Sequence, residues 1–271
     1  MQFLEDLGGS NTIQQLYGKI VVKPTFTIML NGINKNLNQK LRNIASSNGV
    51  DHFGVADLSH AYNAIFEQGG SFIASFPFSI SIGISLLDSI VDLLPQRDEK
   101  AVKVSYRHHV YDIVNLRLDL AASIISGHLQ QSGFKAFPIP SSKRVDDERI
   151  CASFSHKLGA NLAGLGWIGK SCLFITPEYG PRVRWATILT DAPLEPTGQM
   201  QQEQCGDCRE CVDICPTRAF TGNPFRADEP REARYDAKKC EKYFDYMEQK
   251  DKIAVCGLCL FVCPYGRKKK L

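Results

Sequence analysis

Apolar positions along the chain switch between a period of 3.6 and a period of 2, which predicts helices and strands in alternation. Leu37, Leu41 and Ile44 share one face of a predicted helix over Asn36 to Ser47, which Gly49 stops. Val50 to Leu58 reads as a strand. Ser59 to Phe66 reads as a helix with Ser59 at its N-cap, where a hydroxyl accepts from first-turn amides. Ile80, Ile82 and Ile84 alternate along a predicted strand over Ser79 to Leu86, and a helix follows up to Pro95. Ser105 to Gln131 reads as one long amphipathic helix ending before Gly133. Phe134 to Ile139 is a short strand broken by Pro138 and Pro140, Ser153 to Ala163 is a helix, and Leu173 to Thr176 and Arg184 to Thr190 are strands. Strands separated by helices argue for an α/β layer fold. Residues 1 to about 33 differ in character: a short polar helix, then an apolar stretch around Ile20 to Leu30 that is either an added strand or an upstream extension.

Pro193, Pro196 and Gly198 mark a linker. The organisation read from these signals is an N-terminal extension over 1–33, an α/β core over 34–195 and a cysteine-rich domain over 196–271. A chain of 271 residues has room for one sizeable domain and a small one. Its 44% apolar and 23% charged residues are ordinary for a globular protein, and a net charge of +3 does not argue for nucleic acid. Arg267-Lys268-Lys269-Lys270 reads as a solvated end, with a docking site for an acidic partner or RNA as the alternative. The acidic start, Met-Gln-Phe-Leu-Glu-Asp, lacks the positive region of a secretory signal. Ser71 to Leu94 is apolar-rich, but Asp88, Asp92 and many serines interrupt it, so it reads as a buried strand and helix rather than a membrane span. These features predict a cytoplasmic protein with no membrane partner.

Eight of the ten cysteines fall in the last quarter of the chain. Cys205, Cys208, Cys211 and Cys215 follow C-x2-C-x2-C-x3-C with Pro216 next; Cys240 precedes a second run, Cys256, Cys259 and Cys263, with Pro264 next. A [4Fe–4S] cluster takes four thiolates, and the fourth cysteine of such a run serves the other cluster. The assignment is therefore Cys205, Cys208, Cys211 and Cys263 for cluster 1, and Cys215, Cys240, Cys256 and Cys259 for cluster 2. A predicted helical insert, Glu241 to Lys252, separates Cys240 from its run. Zinc sites use pairs of C-x2-C and four ligands in all, and disulfides need an oxidising compartment, so two [4Fe–4S] clusters moving single electrons is the reading taken. Cys151 and Cys172 lie outside the pattern and read as small buried hydrophobes.

The other unusual stretch is Ala163-Gly-Leu-Gly-Trp-Ile-Gly-Lys170. It matches neither the G-x-G-x-x-G that opens a helix nor a P-loop. Glycines this close serve either a tight structural turn or a loop that a cofactor approaches; the cofactor-facing reading names Gly164, Gly166, Trp167, Gly169 and Lys170. Downstream, Pro177 to Arg182 and Arg184 form a turn whose guanidinium groups either hold a carboxylate, amide or phosphate through forked hydrogen bonds or make surface ion pairs. His156 titrates near neutrality in its ordinary state, which suits a proton donor. His108 and His109 lie between Tyr106 and Tyr111, and at most one of the two faces a cofactor edge.

The stretch AGLGWIGKS, then a strand, a turn, Ile188-Leu-Thr-Asp191 and the double-cluster cysteines resembles the epoxyqueuosine reductase family, whose core is similar to that of reductive dehalogenases. The likeness runs from about residue 100 to 266 and is strongest from Leu162 onward. It implies an α/β (α+β) cobalamin-reductase-like core with a C-terminal two-[4Fe–4S] ferredoxin-like domain. It also implies cobalamin in the core, electrons from both clusters, and deoxygenation of an epoxide on a modified tRNA base. By this resemblance Gly164 to Lys170 pack against the corrin, with Arg182 at the same site. The family's V-D-[ST]-[AG] segment, whose Asp donates a proton, corresponds here to Glu148-Arg-Ile-Cys-Ala-Ser153, which has no Asp at the matching position. His156 and Asp147 are the substitutes named. The chain stops shortly after Cys263, so it is similar to a short subgroup without the C-terminal helical-repeat domain that helps hold tRNA.

The function expected is thus an iron–sulfur reductase that passes electrons to a cobalamin or to the substrate directly for reductive C–O cleavage. Its partners are an electron donor such as ferredoxin or flavodoxin and, more remotely, tRNA. The alternative is a ferredoxin-like carrier, or a reducing partner for a corrinoid protein, with no substrate chemistry of its own.

Overall fold

Alternation along one strand sorts the two faces of the central sheet. The computed structural model describes residues 24–251 and 253–267, with side chains over 36–250 and 253–267. Its strands are β1 (His52–Asp57), β2 (Phe78–Ser85), β3 (Ala136–Ile139), β4 (Trp167–Ile168), β5 (Phe174–Ile175) and β6 (Val183–Thr190). Four of them form an antiparallel sheet in the order β1-β2-β6-β3, and β4 pairs with β5 in a small hairpin. The helices are α1 (Pro24–Ser47), α2 (Tyr62–Ala74), α3 (Asp88–Val91), α4 (Lys100–Tyr106), α5 (Val114–Gln131), α6 (His156–Leu162), α7 (Glu210–Asp213), α8 (Ala237–Asp251) and α9 (Leu258–Val262).

On one face of the sheet Phe53, Val55, Ile80, Ile82, Ile84, Ala186 and Ile188 join Leu41 and Ala45 of α1 and Val114, Leu118, Ile125 and Leu129 of α5 in one buried cluster. Each fully buried isoleucine there contributes about 1.5–3 kcal/mol of transfer free energy. The opposite face is made of small residues. Gly54 pairs with Ser81, and Ser81 with Thr187. That lets α6 lie close, since a Cβ on Gly159 would come within 3.0 Å of the Ser81 hydroxyl. Helices on both faces make the α/β layer architecture read from the sequence.

Four local expectations are corrected. The long helix is α4 and α5 joined by a π-helical segment over Arg107–Ile113. Val102, Tyr106, Val110, Val114 and Leu118 are all buried at a strict spacing of four, which is wider than the α-helical 3.6 and is met by the wider π turn. Ser59 caps no helix: it opens a 3₁₀ turn over Ser59–Ala61 whose N-cap is Leu58, and its amide donates to Asp57 Oδ1 at 2.8 Å. The helix expected up to Pro95 is only the short α3 plus a 3₁₀ turn at Leu94–Gln96. Residues 24–30, read as strand or extension, are the start of α1. The rest of the 1–23 reading, and Lys268 to Lys270 of the basic tail, lie outside the described residues.

The linker is tied to the sheet. Val55 N–H donates to Thr197 Oγ1 at 2.9 Å, Thr197 N–H donates to Val55 O at 3.0 Å, and Asn38 Nδ2 donates to Glu195 O at 2.6 Å. Val255 and Leu260 of the cysteine-rich segment belong to the same buried cluster as β2 and α5. The two segments differ in sequence character yet share a core.

Candidate functional site

Two sets of thiols gather beyond the sheet. Cys205 and Cys208 come from the turn that leads into α7, Cys211 from α7 itself, and Cys263 from the end of α9. All four line one cavity with Lys170, Ser171, Ile175, Pro264 and Tyr265. Pro264 opens a 3₁₀ turn immediately after Cys263, so the helix ends at the thiol. Cys215, Cys240, Cys256 and Cys259 form the second set: Cys256 feels Cys240 and Cys215, and Cys259 feels Cys256, Cys240 and Cys215 together with Cys211 of the first set. Cys240 sits inside the first turns of α8, so the helical insert begins before that cysteine rather than after it. Gly257 takes a left-handed φ of +67° between Cys256 and Cys259.

Burial pushes the Cys205 thiol up to about 12 and Cys211 up to about 11, and it raises Cys240, Cys256, Cys259 and Cys263 as well. Neighbouring thiols add to the rise at Cys211, Cys259 and Cys263. Alone, these sulfurs stay protonated; as thiolates they need a positive core between them. Two sets of four soft sulfur donors fit iron–sulfur clusters. The backbone also supports sulfur: Ala219 N–H donates to Cys215 Sγ at 3.4 Å, and the Tyr235 hydroxyl donates to Cys240.

Each glycine of the stretch that the resemblance set against the corrin meets protein on its Cβ side. A Cβ on Gly164 would come within 2.8 Å of Gly198 Cα, and one on Gly166 within 2.0 Å of Ile175 O. One on Gly169 would meet Ile175 and lie 3.3 Å from the Cys205 sulfur. Lys170 Nζ donates to Gly206 O and, at 3.3 Å, to Cys208 O. Trp167 is buried, with its ring edge-on to Tyr265 at 4.8 Å. Arg182 is buried and forked between Asp88 (2.9 Å) and Asp92 (2.8 Å), and its stem packs on Gly266. Gly164, Gly166, Trp167, Gly169, Lys170 and Arg182, the six residues named for a cofactor, thus all make contacts within the protein. Trp167, Gly169, Lys170 and Arg182 lie against the turns that carry Cys205, Cys208 and Cys263, and Gly164 lies against the linker.

His156 is a satisfied side chain. Its Nε2 lies 3.2 Å from Pro140 O and its Nδ1 2.9 Å from Thr187 Oγ1. A carbonyl only accepts, so the proton is on Nε2 and Thr187 donates to Nδ1. Burial drives its pKa down to about 4, so the ring is neutral at pH 7 and holds no surplus proton to give. Asp147 is exposed on the loop before α6. That loop turns between Asp146 and Cys151 and is held to the cysteine-rich segment where Arg231 Nη1 donates to Ile150 O at 3.1 Å and Arg144 pairs with Glu241. Of the histidine pair, His108 is exposed beside Asp112 and His109 is half-buried. Cys172 is buried and Cys151 half-buried.

Residues the sequence reading did not place at a site are Tyr106, Tyr111 and Asn115. The π segment turns both tyrosines inward with their rings 6.0 Å apart, and the Arg184 guanidinium lies 5.2 Å above Tyr111 while its Nε donates to Asn115 Oδ1 at 3.0 Å. Both tyrosines feel Cys256 and Cys259, and burial raises both hydroxyls, so they stay neutral donors. The strict spacing of four through Tyr106 was the available signal.

Comparison with known proteins agrees with this arrangement. The family described as a 4Fe-4S double cluster binding domain matches residues 204–266. The chain is 32% identical over 169 residues to epoxyqueuosine reductase of Pseudomonas aeruginosa, covering 58% of this chain and 41% of that protein. It is 38% identical over 115 residues to the enzyme of Bacillus anthracis, covering 39% and 28%. The chain thus spans less than half the length of these relatives. Among solved structures, a reductive dehalogenase described as suggesting a mechanism for B12-dependent dehalogenation superposes with a TM-score of 0.63 at 19% identity, covering 84% of this chain and 31% of that one. A selenomethionine-labelled epoxyqueuosine reductase gives 0.52 at 18%, covering 88% and 66%. No helix among the described residues is long and apolar enough to cross a membrane. The chain has the α/β fold of these two groups, carries a segment matching the double-cluster domain, and resembles the epoxyqueuosine reductases in sequence.

Proposed function

We propose that the chain is an iron–sulfur reductase that carries two [4Fe–4S] clusters, held by Cys205, Cys208, Cys211 and Cys263 and by Cys215, Cys240, Cys256 and Cys259. The observation that carries this reading is the gathering of the eight thiols into two sets of four, in the crossed pattern of a double-cluster motif. The clusters supply one-electron transfer. The protein's own part is to bury the thiolates and aim N–H and O–H groups at them. Cluster 2 would lie beside the Tyr106–Tyr111–Arg184 group, where a half-buried cation would favour the added electron. With both clusters held, Tyr106, Tyr111 and Arg184 would line the side of the second thiol set that faces the core.

The likeness to epoxyqueuosine reductases favours reductive C–O cleavage, in which two electrons and two protons remove an epoxide oxygen as water. A solved relative is described with a tRNA-Tyr epoxyqueuosine-modified stem loop, and the same substrate class is proposed here. Of the two proton donors named from the sequence, Asp147 keeps an exposed carboxyl, while His156 is neutral with both nitrogens engaged. Cobalamin as the acceptor rests on the dehalogenase likeness; of the six residues assigned to it, Trp167, Gly169, Lys170 and Arg182 also pack on the cluster turns.

The second reading is an electron carrier that reduces another corrinoid protein. It is favoured by the same commitment of the glycine loop to the cysteines. Anaerobic purification from cobalamin-fed cells, with iron, sulfide and cobalt counted per chain, tests both. About eight iron and eight sulfide are expected for two clusters. Zinc in place of iron ends the proposal. Full iron with no cobalt, and reduction of a corrinoid protein but not of an epoxide-bearing stem loop, selects the carrier.

A further inference from the structure

The indole of Trp167 is 1% exposed, and its Nε1 meets no acceptor at hydrogen-bonding geometry among the described residues. A buried N–H left unpaired costs about 1–3 kcal/mol, so its surroundings need an account. The ring sits in one buried cluster with Ile175, Cys263, Cys205 and Tyr265. Cys205 packs against that cluster, and its sulfur lies within reach of both the indole N–H and the Lys170 amide. A protonated thiol is a poor acceptor, whereas a thiolate bound to iron is a good one. Gly169, between those two donors, has no Cβ to hold the sulfur away: a Cβ there would lie 3.3 Å from it.

We propose that Trp167 donates its indole N–H to the Cys205 sulfur of the loaded cluster 1 and thereby sets that cluster's reduction potential. This rests on the reading that the first four thiols hold a cluster. Reduction adds negative charge to the core and its sulfurs, so a donor aimed at one of them stabilises the reduced form more than the oxidised one. Trp167 is a positioning residue that acts through Cys205. The loop from Trp167 to Lys170 is then a donor loop, with two N–H groups converging on one ligand. Trp185 is the internal comparison. Its Nε1 is also buried without a partner, but its ring packs on Phe174 and His52, and no cysteine lies in its cluster.

Since the chain has only two tryptophans, isotope labelling separates them. Protein grown on 15N-indole is purified anaerobically, reduced, and read by pulsed EPR for 15N coupled to the cluster spin. The expected result is a coupling in the wild type and in Trp185→Phe that is absent in Trp167→Phe. Potentiometric titration of Trp167→Phe, which keeps a ring against Tyr265, is expected to weaken reduction of one cluster by up to about tenfold in its equilibrium constant, or about 59 mV downward, with the other cluster unmoved. If the labelled wild type holds its iron and shows no 15N coupling, the inference is overturned whether or not the variant folds. Full iron with unchanged potentials in Trp167→Phe also overturns it. If the wild type binds no iron, the two-cluster reading falls and takes this inference with it.

Discussion

Replacing Gly180 by alanine tests the seam between the core and cluster 1. Gly180 takes a φ of +54°, and a Cβ there would lie 2.3 Å from Gly266 N and 2.7 Å from Gly266 Cα and Tyr265 C. Neither side has room to yield. Gly180 exchanges two backbone hydrogen bonds with Thr176, both 2.9 Å, and Gly266 N–H donates to Cys263 O at 3.0 Å. Left-handed backbone costs a non-glycine residue about 1–2 kcal/mol, and overpacking a fixed backbone contact costs about 1–3 kcal/mol more. Gly180→Ala is therefore expected to lose about 2–5 kcal/mol, a large part of the stability of an ordinary domain.

Gly133→Ala isolates the two contributions. Its φ is +88° but nothing lies within 4 Å of the added Cβ, so only the backbone cost of about 1–2 kcal/mol applies. Because the clash lands three residues after Cys263, Gly180→Ala should also lose iron from cluster 1 while Gly133→Ala keeps both clusters. Bound clusters couple to unfolding, so the assay is anaerobic urea unfolding of each variant at measured iron content. If Gly180→Ala retains full iron and unfolds within about 0.5 kcal/mol of Gly133→Ala, a difference within the usual scatter of surface substitutions, the reasoning about this seam is wrong.

His156 makes stability depend on pH. The folded ring titrates at about 4 against an ordinary 6.5, so below pH 6.5 the unfolded chain takes up a proton that the folded chain refuses; stability should drop by roughly 1.4 kcal/mol per pH unit down to about pH 4, roughly 3 kcal/mol in all. His156→Gln should flatten that part of a pH series of denaturation midpoints, and an unaltered slope would count against the assignment. Cys208→Ser should lower iron from about eight to about four per chain while leaving one EPR-active cluster, whereas Cys215→Ser should spare cluster 1 instead. Arg182→Met removes two ion pairs from a side chain that is 3% exposed, but its partners are 34% and 57% exposed and rehydrate. The loss should stay below the 3–5 kcal/mol of a fully buried pair, at about 2 kcal/mol by thermal melting.

Legibility in the sequence followed the range of the interaction. β2 was readable because one face buries Ile80, Ile82 and Ile84 against helices, which makes isoleucine alternate with smaller residues. The double-cluster cysteines were readable because ligand spacing is a local requirement of the cluster. The π segment at Arg107–Ile113 was not, although buried residues four apart through Tyr106 and Val110 carried a faint sign of it. The β4–β5 hairpin is too short for any period to show. The glycine stretch was legible as backbone that something approaches, but glycine does not say what approaches. The reading taken was a cofactor; on the Cβ side of these glycines the structure puts Gly198, Ile175 and Cys205. His156 shows the same limit from the other side, because an imidazole's ordinary pKa says nothing of the Pro140 carbonyl and Thr187 hydroxyl that fold onto it.

The glycines along the seam explain how an ordinary α/β core comes to hold a cluster domain rigidly. Each missing Cβ falls where the cysteine-rich segment or its linker presses on the core: Gly164 on Gly198, Gly169 near Cys205, Gly180 on Gly266, and from the other side Gly257 on Leu94 and Tyr106. Side-chain packing alone would leave these backbones a methyl group further apart. At that distance Lys170 would not reach the carbonyls of Gly206 and Cys208, nor would Tyr106 sit against the turn between Cys256 and Cys259. Electron transfer needs ligands that barely move when charge arrives, and the close approach of backbone at Gly164 and Gly180, and of side chains onto bare backbone at Gly169 and Gly257, supplies that stiffness without filling the space the clusters require. The same closeness explains why Val255 and Leu260 share a core with β2 and α5: once the turns are pressed on the sheet, the apolar residues beside the thiols have nowhere else to be buried.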